Sequence, residues 1–376
     1  MAASQAHLKA YSWHLPVAIE FGPGSAFEAL STLRGRRAVV LSFHGAYRLE
    51  YPARLMRSID DALVDWVEIP DGLSTLDLGR QVAAQVWPAL ASHDQTVLIG
   101  LGGGSVMDVA KWIRHRPACG SVDRLGQLLG CSAPPPGWTP HELWLMPTTA
   151  GTGSEVTSWS TLWDTNTHPA AKRSFDQPWA YADRAVVDPL LSLTCPQAVV
   201  RHSALDALGH GLEVLWNRHR NPMSVALGLD AVRTVIRALP DALRSPEDPA
   251  PRRALAQAAL QAGVAFSQTR TALAHALSYP LTLEQGVDHG AAVAVWLPLT
   301  WGLAAGHHPE VDHALSQVWD GQVLQGAQRL QDWFLEVGFE LSLERLGIHD
   351  VQERVHAALA HERGQNFEGR GKDERI

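Results

Sequence analysis

Short apolar runs alternate with amphipathic stretches through the first half of the chain. Segments 17–21, 38–43, 64–69, 96–100, 143–147 and 185–187 are aliphatic or β-branched and end at glycine, proline or polar turns, as buried strands do. Between them, 78–91 and 106–114 carry apolar residues at helical spacing. Such alternation predicts a largely parallel sheet flanked by helices. Past Asp188-Pro189 the period changes. Segments 197–216, 222–243, 252–267, 287–305 and 327–346 are rich in Ala, Leu and Val, with turns such as Asn221-Pro222 and Ser245-Pro246 between them. The predicted organisation is a Rossmann-like α/β domain over residues 1–188 and an all-α domain over 189–376. The polar tail 363–376 is expected to fray.

Composition narrows the function classes. The chain of 376 residues has 31 Lys plus Arg against 39 Asp plus Glu, a net charge of −8, and 46% hydrophobic residues. That mix excludes wholesale disorder, and the acidic balance without a basic block argues against nucleic acid as a partner. No apolar run approaches a membrane span. The opening residues lack a charged start followed by a long apolar stretch, which points away from a signal peptide. The three cysteines are too few for a disulfide framework. The expectation is a cytoplasmic protein with reduced thiols.

Two loops carry candidate nucleotide chemistry. An apolar strand runs into Gly102-Gly103-Gly104-Ser105, after which Asp108 and Lys111 lie in a predicted helix. Glycines let backbone approach an anion closely, and free N–H groups at a helix start favour phosphate. The pattern is not G-x-G-x-x-G, and a plain tight turn would look similar. A second loop, Pro147-Thr148-Thr149-Ala150-Gly151-Thr152-Gly153-Ser154-Glu155, follows the next strand and reads either as a nucleotide edge or as a helix cap. Asp206 and His210 are spaced i, i+4 and so share a helix face; His275 and His289 also lie in apolar helical segments. One carboxylate and three imidazoles suit a divalent first-row metal, and burying them without one is costly.

Taken together, these motifs resemble the iron-containing (group III) alcohol dehydrogenase family over nearly the whole chain. The resemblance covers Gly102 to Lys111, Pro147 to Glu155, Asp188-Pro189 and the set Asp206, His210, His275 and His289. It implies a Rossmann-like domain and a helical domain with the active site between them, and hydride transfer between a nicotinamide and an alcohol or aldehyde. It implies Fe²⁺ at the four ligands, although nitrogen and oxygen donors do not discriminate strongly against Zn²⁺ or Ni²⁺. It implies coenzyme contacts at Gly102, Gly103, Gly104, Ser105, Asp108, Thr148, Thr149, Thr152, Lys172, Leu191, Ser42 and Phe43, and a homodimer or larger assembly.

Three departures refine that expectation. Tyr279 stands where many members carry a further histidine, and either faces the site as a proton donor or packs before Pro280. Phe43 replaces the acidic residue that often follows the second strand, so no carboxylate there repels a 2′-phosphate and NADPH is admitted beside NADH. Ser42, His44 or Arg48 are candidates to contact that phosphate. The stretch from Arg270 to Thr282 resembles the family's phosphonoacetaldehyde-reducing branch, which implies an anionic aldehyde as substrate. Arg270 is the candidate for its head group, with Thr271, Ser278 and Thr282 nearby, and Lys172-Arg173 is another. The alternatives are the same chemistry on a small neutral alcohol or diol (lactaldehyde- or propanediol-type) or on maleylacetate. More remote are a lyase resembling dehydroquinate synthase and a non-catalytic metal- or nucleotide-binding protein.

Overall fold

The computed structural model describes residues 10–370 apart from Asp94, Pro169 and Asp320. The first half holds strands β1 (Ala18–Phe21), β2 (Ala38–Phe43), β3 (Leu63–Ile69), β4 (Val97–Gly102), β5 (His115–Pro117), β6 (Trp138–Pro140), β7 (Leu143–Pro147), β8 (Trp159–Asp164), β9 (Ala171–Asp176) and β10 (Arg184–Val187). Its helices are α1 (Ser25–Ser31), α2 (Glu50–Arg57), α3 (Leu76–Ala91) and α4 (Gly104–Ile113). Six strands form one parallel sheet in the order β1-β10-β7-β4-β2-β3. Strands β4 and β7 are buried along their whole length. Burial on both faces explains why they read as continuous apolar runs.

The order fixes the position of the loops. From β2 the chain steps outward to β3, then returns to the other side of β2 as β4. In open α/β sheets that reversal opens a crevice at the carboxyl ends of the strands. Gly102 is in register with Pro147, so both glycine-containing loops leave the sheet side by side.

The helical half comprises α5 (Gln197–Leu215), α6 (Pro222–Arg244), α7 (Pro249–Thr269), α8 (Leu273–Gln285), α9 (His289–Ala294), α10 (Leu297–Ala304), α11 (Pro309–Ser316), α12 (Gly326–Glu336) and α13 (Val351–Ala360). Helix α5 is buried almost all round from Ala204 to Leu215, which marks it as the centre of this core. Asn221 caps α6 through a reciprocal capping box with Ser224, and Pro222 takes the first helical position. The segment expected as one helix over 287–305 is two, with Pro298 in the first turn of the second. Proline cannot supply an N–H to an uninterrupted helix. The segment 327–346 stops as a helix at Glu336, two residues before Gly338 at φ +68°.

Two expectations need correction. The antiparallel β8–β9 hairpin was not anticipated, because Ser, Thr, Lys and Arg break its apolar pattern. The tail does not fray over its first part: Arg363 and Phe367 are buried, and Phe367 bridges to Asn217. Residues 371–376 lie outside the described ones.

Candidate metal and coenzyme site

Asp206 and His210 lie one turn apart on α5, His275 sits in the first turn of α8, and His289 opens α9. Glycine permits this convergence. A Cβ at Gly290 would stand 1.9 Å from the His202 carbonyl, so α9 rests on the α5 backbone as only glycine allows. The Asp206 Oδ1 atom is 3.4 Å from His275 Nε2, 3.8 Å from His289 Nε2 and 3.9 Å from His210 Nε2. Ligand atoms about 2.1 Å from a shared tetrahedral ion stand roughly 3.4 Å apart. Asp206 Oδ1 and His275 Nε2 are buried and have no hydrogen-bond partner. Orphaned buried groups of this kind call for an ion; Asp206, His210 and His275 offer ligand atoms within 4.8 Å of one another and fit a divalent cation, with His289 beside them near Asp206.

The electrostatics agree. Burial would raise the Asp206 carboxyl, but His210, His275 and His289 outweigh it and hold the group well below the usual carboxylate range. Burial, only partly offset by Asp206, lowers His210 to about 4; the same opposition lowers His289 to about 3. Both are therefore neutral imidazoles near pH 7, the form that ligates. Burial would also lower His275, yet Glu213 and Asp206 overcome it and raise the ring to about 10.

Glu213 is the residue that sequence reasoning missed. Fully buried on α5, it accepts from Ala272 N at 2.5 Å, His275 N at 3.1 Å and His275 Nδ1 at 2.8 Å. An ionised carboxylate only accepts, so Nδ1 donates to Glu213 and Nε2 faces Asp206, where a bound metal ion would displace its proton. The available signal was spacing: Glu213 follows Asp206 by seven residues, on the same helix face.

A cleft of about 180 Å³ brings together Gly104, Ser105, Asp108, Thr152, Lys172, Asp206, His210, His275, Tyr279 and His289. Helix α4 opens onto it with no side-chain cap at Gly103, leaving N–H groups and the positive helix end for an anion. A Cβ on Gly103 would stand 3.3 Å from Thr149, and one on Gly104 2.8 Å from Thr152, so the two loops touch. Asp108 gives both carboxylate oxygens to the second loop and β8, accepting from Ser154 Oγ and Thr161 N at 2.7 Å each. Lys111, fully buried, donates to Ser154 Oγ, Thr157 Oγ1 and the Trp159 carbonyl. Burial lowers its pKa to about 8 against the pull of Asp108, Glu155 and Asp176. This pair ties the first loop to the second.

Several expected contacts sit elsewhere. Ser42 is fully buried and accepts from Trp66 Nε1, so it does not reach a coenzyme phosphate. Leu191 is in the core beneath the sheet. Thr148 is buried, with its carbonyl accepting from Cys195 Sγ. Phe43 packs at the edge of the sheet core. In register with Ser42, Glu68 on β3 accepts from Gly45 N and Tyr47 N and stands 3.7 Å from His44. Arg48 donates to the Tyr47 hydroxyl. Arg270 is not the cleft's cation. It pairs with Asp176 and lies over Trp159, at a φ of +64°. Lys172 lines the cleft instead, its Nζ 4.0 Å over the Tyr279 ring. Burial would raise the Tyr279 hydroxyl, but Lys172, His275 and Arg363 outweigh it and lower it.

Residues 16–189 match the iron-containing alcohol dehydrogenase family and residues 201–372 its C-terminal family, so the chain belongs to the iron-containing alcohol dehydrogenases. It is 35% identical over 245 residues to a phosphonoacetaldehyde reductase of Streptomyces viridochromogenes, a match covering 64% of this chain and 60% of that protein. It is 25% identical over 317 residues to a sulfoacetaldehyde reductase of Bilophila wadsworthia, covering 84% of this chain and 80% of that one. Its fold matches the sulfoacetaldehyde reductase of Bifidobacterium kashiwanohense, solved in complex with NAD+, at a TM-score of 0.84 and 24% identity over 95% of this chain and 94% of that one. Among the described residues no helix is long and apolar enough to cross a membrane.

Proposed function

We propose that this chain is a metal-dependent NAD(P)H aldehyde reductase whose substrate is a small anionic aldehyde, reducing phosphonoacetaldehyde to 2-hydroxyethylphosphonate. The observation that carries the reading is the cleft itself: the uncapped start of α4 and the cluster of Asp206, His210, His275 and His289 open onto the same space. The division into a nucleotide-binding part to residue 188 and a helical part beyond it belongs to the same reading, as do a cytoplasmic location and a homodimer or larger assembly.

Asp206, His210, His275 and His289 hold the ion, iron by family resemblance. Bound there, it supplies Lewis acidity toward the carbonyl or alkoxide oxygen. The nicotinamide coenzyme supplies or accepts the hydride. Glu213 keeps the His275 ring oriented, and the Asp108–Lys111 pair holds the two loops together. Phe43 leaves no carboxylate directly after β2, while Glu68 supplies one from the neighbouring strand, so NADH and NADPH both remain within the reading. The test is turnover by iron-reconstituted protein with each coenzyme and a panel of phosphonoacetaldehyde, sulfoacetaldehyde, propanal and maleylacetate. A marked preference for the phosphonate supports the reading. Equal kcat/KM for phosphonoacetaldehyde and propanal removes the anionic substrate, and no coenzyme oxidation with any aldehyde removes the reductase.

A further inference from the structure

The geometry points to Arg363 and Lys172, with the Thr282 hydroxyl, as a receptor for a doubly charged oxyanion head group in the cleft beside Tyr279. This inference rests on the reductase reading and deepens it. Arg363 is 8% exposed and Thr282 6%, and both line the cleft. Arg363 Nη1 and Thr282 Oγ1 are buried atoms with no hydrogen-bond partner. A guanidinium N–H left unpaired away from water is costly, and an oxyanion with several acceptor oxygens satisfies both atoms at once.

Charge favours a dianion. Arg270 and Arg363 share Asp176; Arg363 Nη2 lies 3.6 Å from its Oδ2 and the guanidinium stands over Trp159. Lys172 adds a third cation above Tyr279. Lys172 and Arg363 are the two cations that line the cleft, and the carboxylate within ion-pair distance of Arg363, Asp176, is already held by Arg270. Arg270 acts here through Asp176, which it holds in place, and not by contact with the substrate. Position agrees as well. His275, Tyr279 and Thr282 follow one another along one face of α8, and at 1.5 Å per residue Tyr279 lies about 6 Å and Thr282 about 10 Å along the axis from the metal ligand. The anion and the reacting carbonyl are then separated by a short linker.

The experiment measures two things on the metal-loaded protein and on Arg363→Met, Arg363→Lys and Lys172→Gln. The first is the ratio of kcat/KM for phosphonoacetaldehyde to that for propanal. The second is the calorimetric affinity for methylphosphonate and for methanesulfonate. The ratio is expected to fall roughly 10–100-fold in Arg363→Met and in Lys172→Gln, with partial recovery in Arg363→Lys. Methylphosphonate is expected to bind at least about tenfold more tightly than methanesulfonate, to compete with aldehyde, and to lose affinity in step with the ratio. An unchanged ratio in correctly folded variants overturns the receptor, as does methylphosphonate that competes with the coenzyme, which would assign these cations to a coenzyme phosphate. Equal binding of the two small anions overturns the dianion. Should the parent protein reduce no aldehyde, the reductase reading fails by itself, and methylphosphonate calorimetry still decides the receptor.

Discussion

Replacing Glu213 by Gln tests whether one buried carboxylate sets the geometry of the metal cluster. Glu213 accepts three hydrogen bonds, two of them from backbone N–H groups and one from His275 Nδ1. The amide of Gln has nearly the same shape, but only its oxygen accepts. At most two of the three donors keep a partner, and the third meets an NH₂ group. One lost bond to a charged acceptor is worth about 1.5–3 kcal/mol. Loss of a carboxylate behind a metal-ligating histidine typically costs about 10–100-fold in metal affinity, roughly 1.4–2.8 kcal/mol. The two estimates agree in scale because the same contact underlies both. The assay is metal affinity by chelator competition, with melting temperature measured with and without metal. Glu213→Gln should bind metal at least about tenfold more weakly and gain less in melting temperature on loading. Affinity within about twofold of the parent, in a folded variant, would refute the argument that Glu213 orients His275.

Other tests address separate parts of the structure. Lys111→Met removes three hydrogen bonds, to Ser154 Oγ, Thr157 Oγ1 and the Trp159 carbonyl, and the cation whose charge favours the buried Asp108 carboxylate, and should destabilise by about 3–5 kcal/mol in calorimetry, with Asp108→Asn restoring part of that loss; an unchanged stability in Lys111→Met would show that the two residues tie nothing. Gly290→Ala forces α9 off the His202 carbonyl, so a cost of about 1–3 kcal/mol and weaker metal binding are expected, and unchanged chelator competition would refute the close approach. Burial holds His115 down to about 3 and His141 down to about 4 in the folded protein, below the ordinary 6.5. The unfolded chain takes up those protons first, so this stability is complete above pH 6.5 and is lost as pH falls toward the folded values, at about 1.4 kcal/mol per pH unit for each ring. In urea titrations from pH 6.5 to pH 4.5, His115→Phe should flatten the slope by that amount, and an unaltered slope would show His115 is not buried neutral. Removing the metal, or His275→Ala, should abolish coenzyme oxidation; full activity in metal-free protein would sink the Lewis-acid role.

Local pattern determined most of the architecture, because periodicity is a property of neighbouring residues. Strands β2, β3, β4, β7 and β10 and helices α3 to α7 each bury an apolar run or face that is visible in the sequence alone, while β1 is equally apolar in sequence but stays exposed or half-buried. The metal candidates were legible for a related reason: four polar groups in apolar helical segments stand out wherever the helices finally pack. Tertiary structure decided what has no local signature. The hairpin β8–β9 carries Lys172 on a polar strand, and its place in the cleft depends on the docking of that hairpin against α4, which sets Lys172 over Tyr279 of α8. Glu213 reads as one more helical acid until α8 brings the His275 ring to it. Arg270 and Arg363 exchange their expected standing for the same reason. The first is neutralised by Asp176 from β9, and the second, in a tail expected to fray, is carried into the cleft by packing of the chain beyond α13. Composition and spacing tell which residues are chemically unusual. Which charges meet, and which remain unpaired, is set by contacts between elements far apart in the chain, where neighbouring residues carry no information.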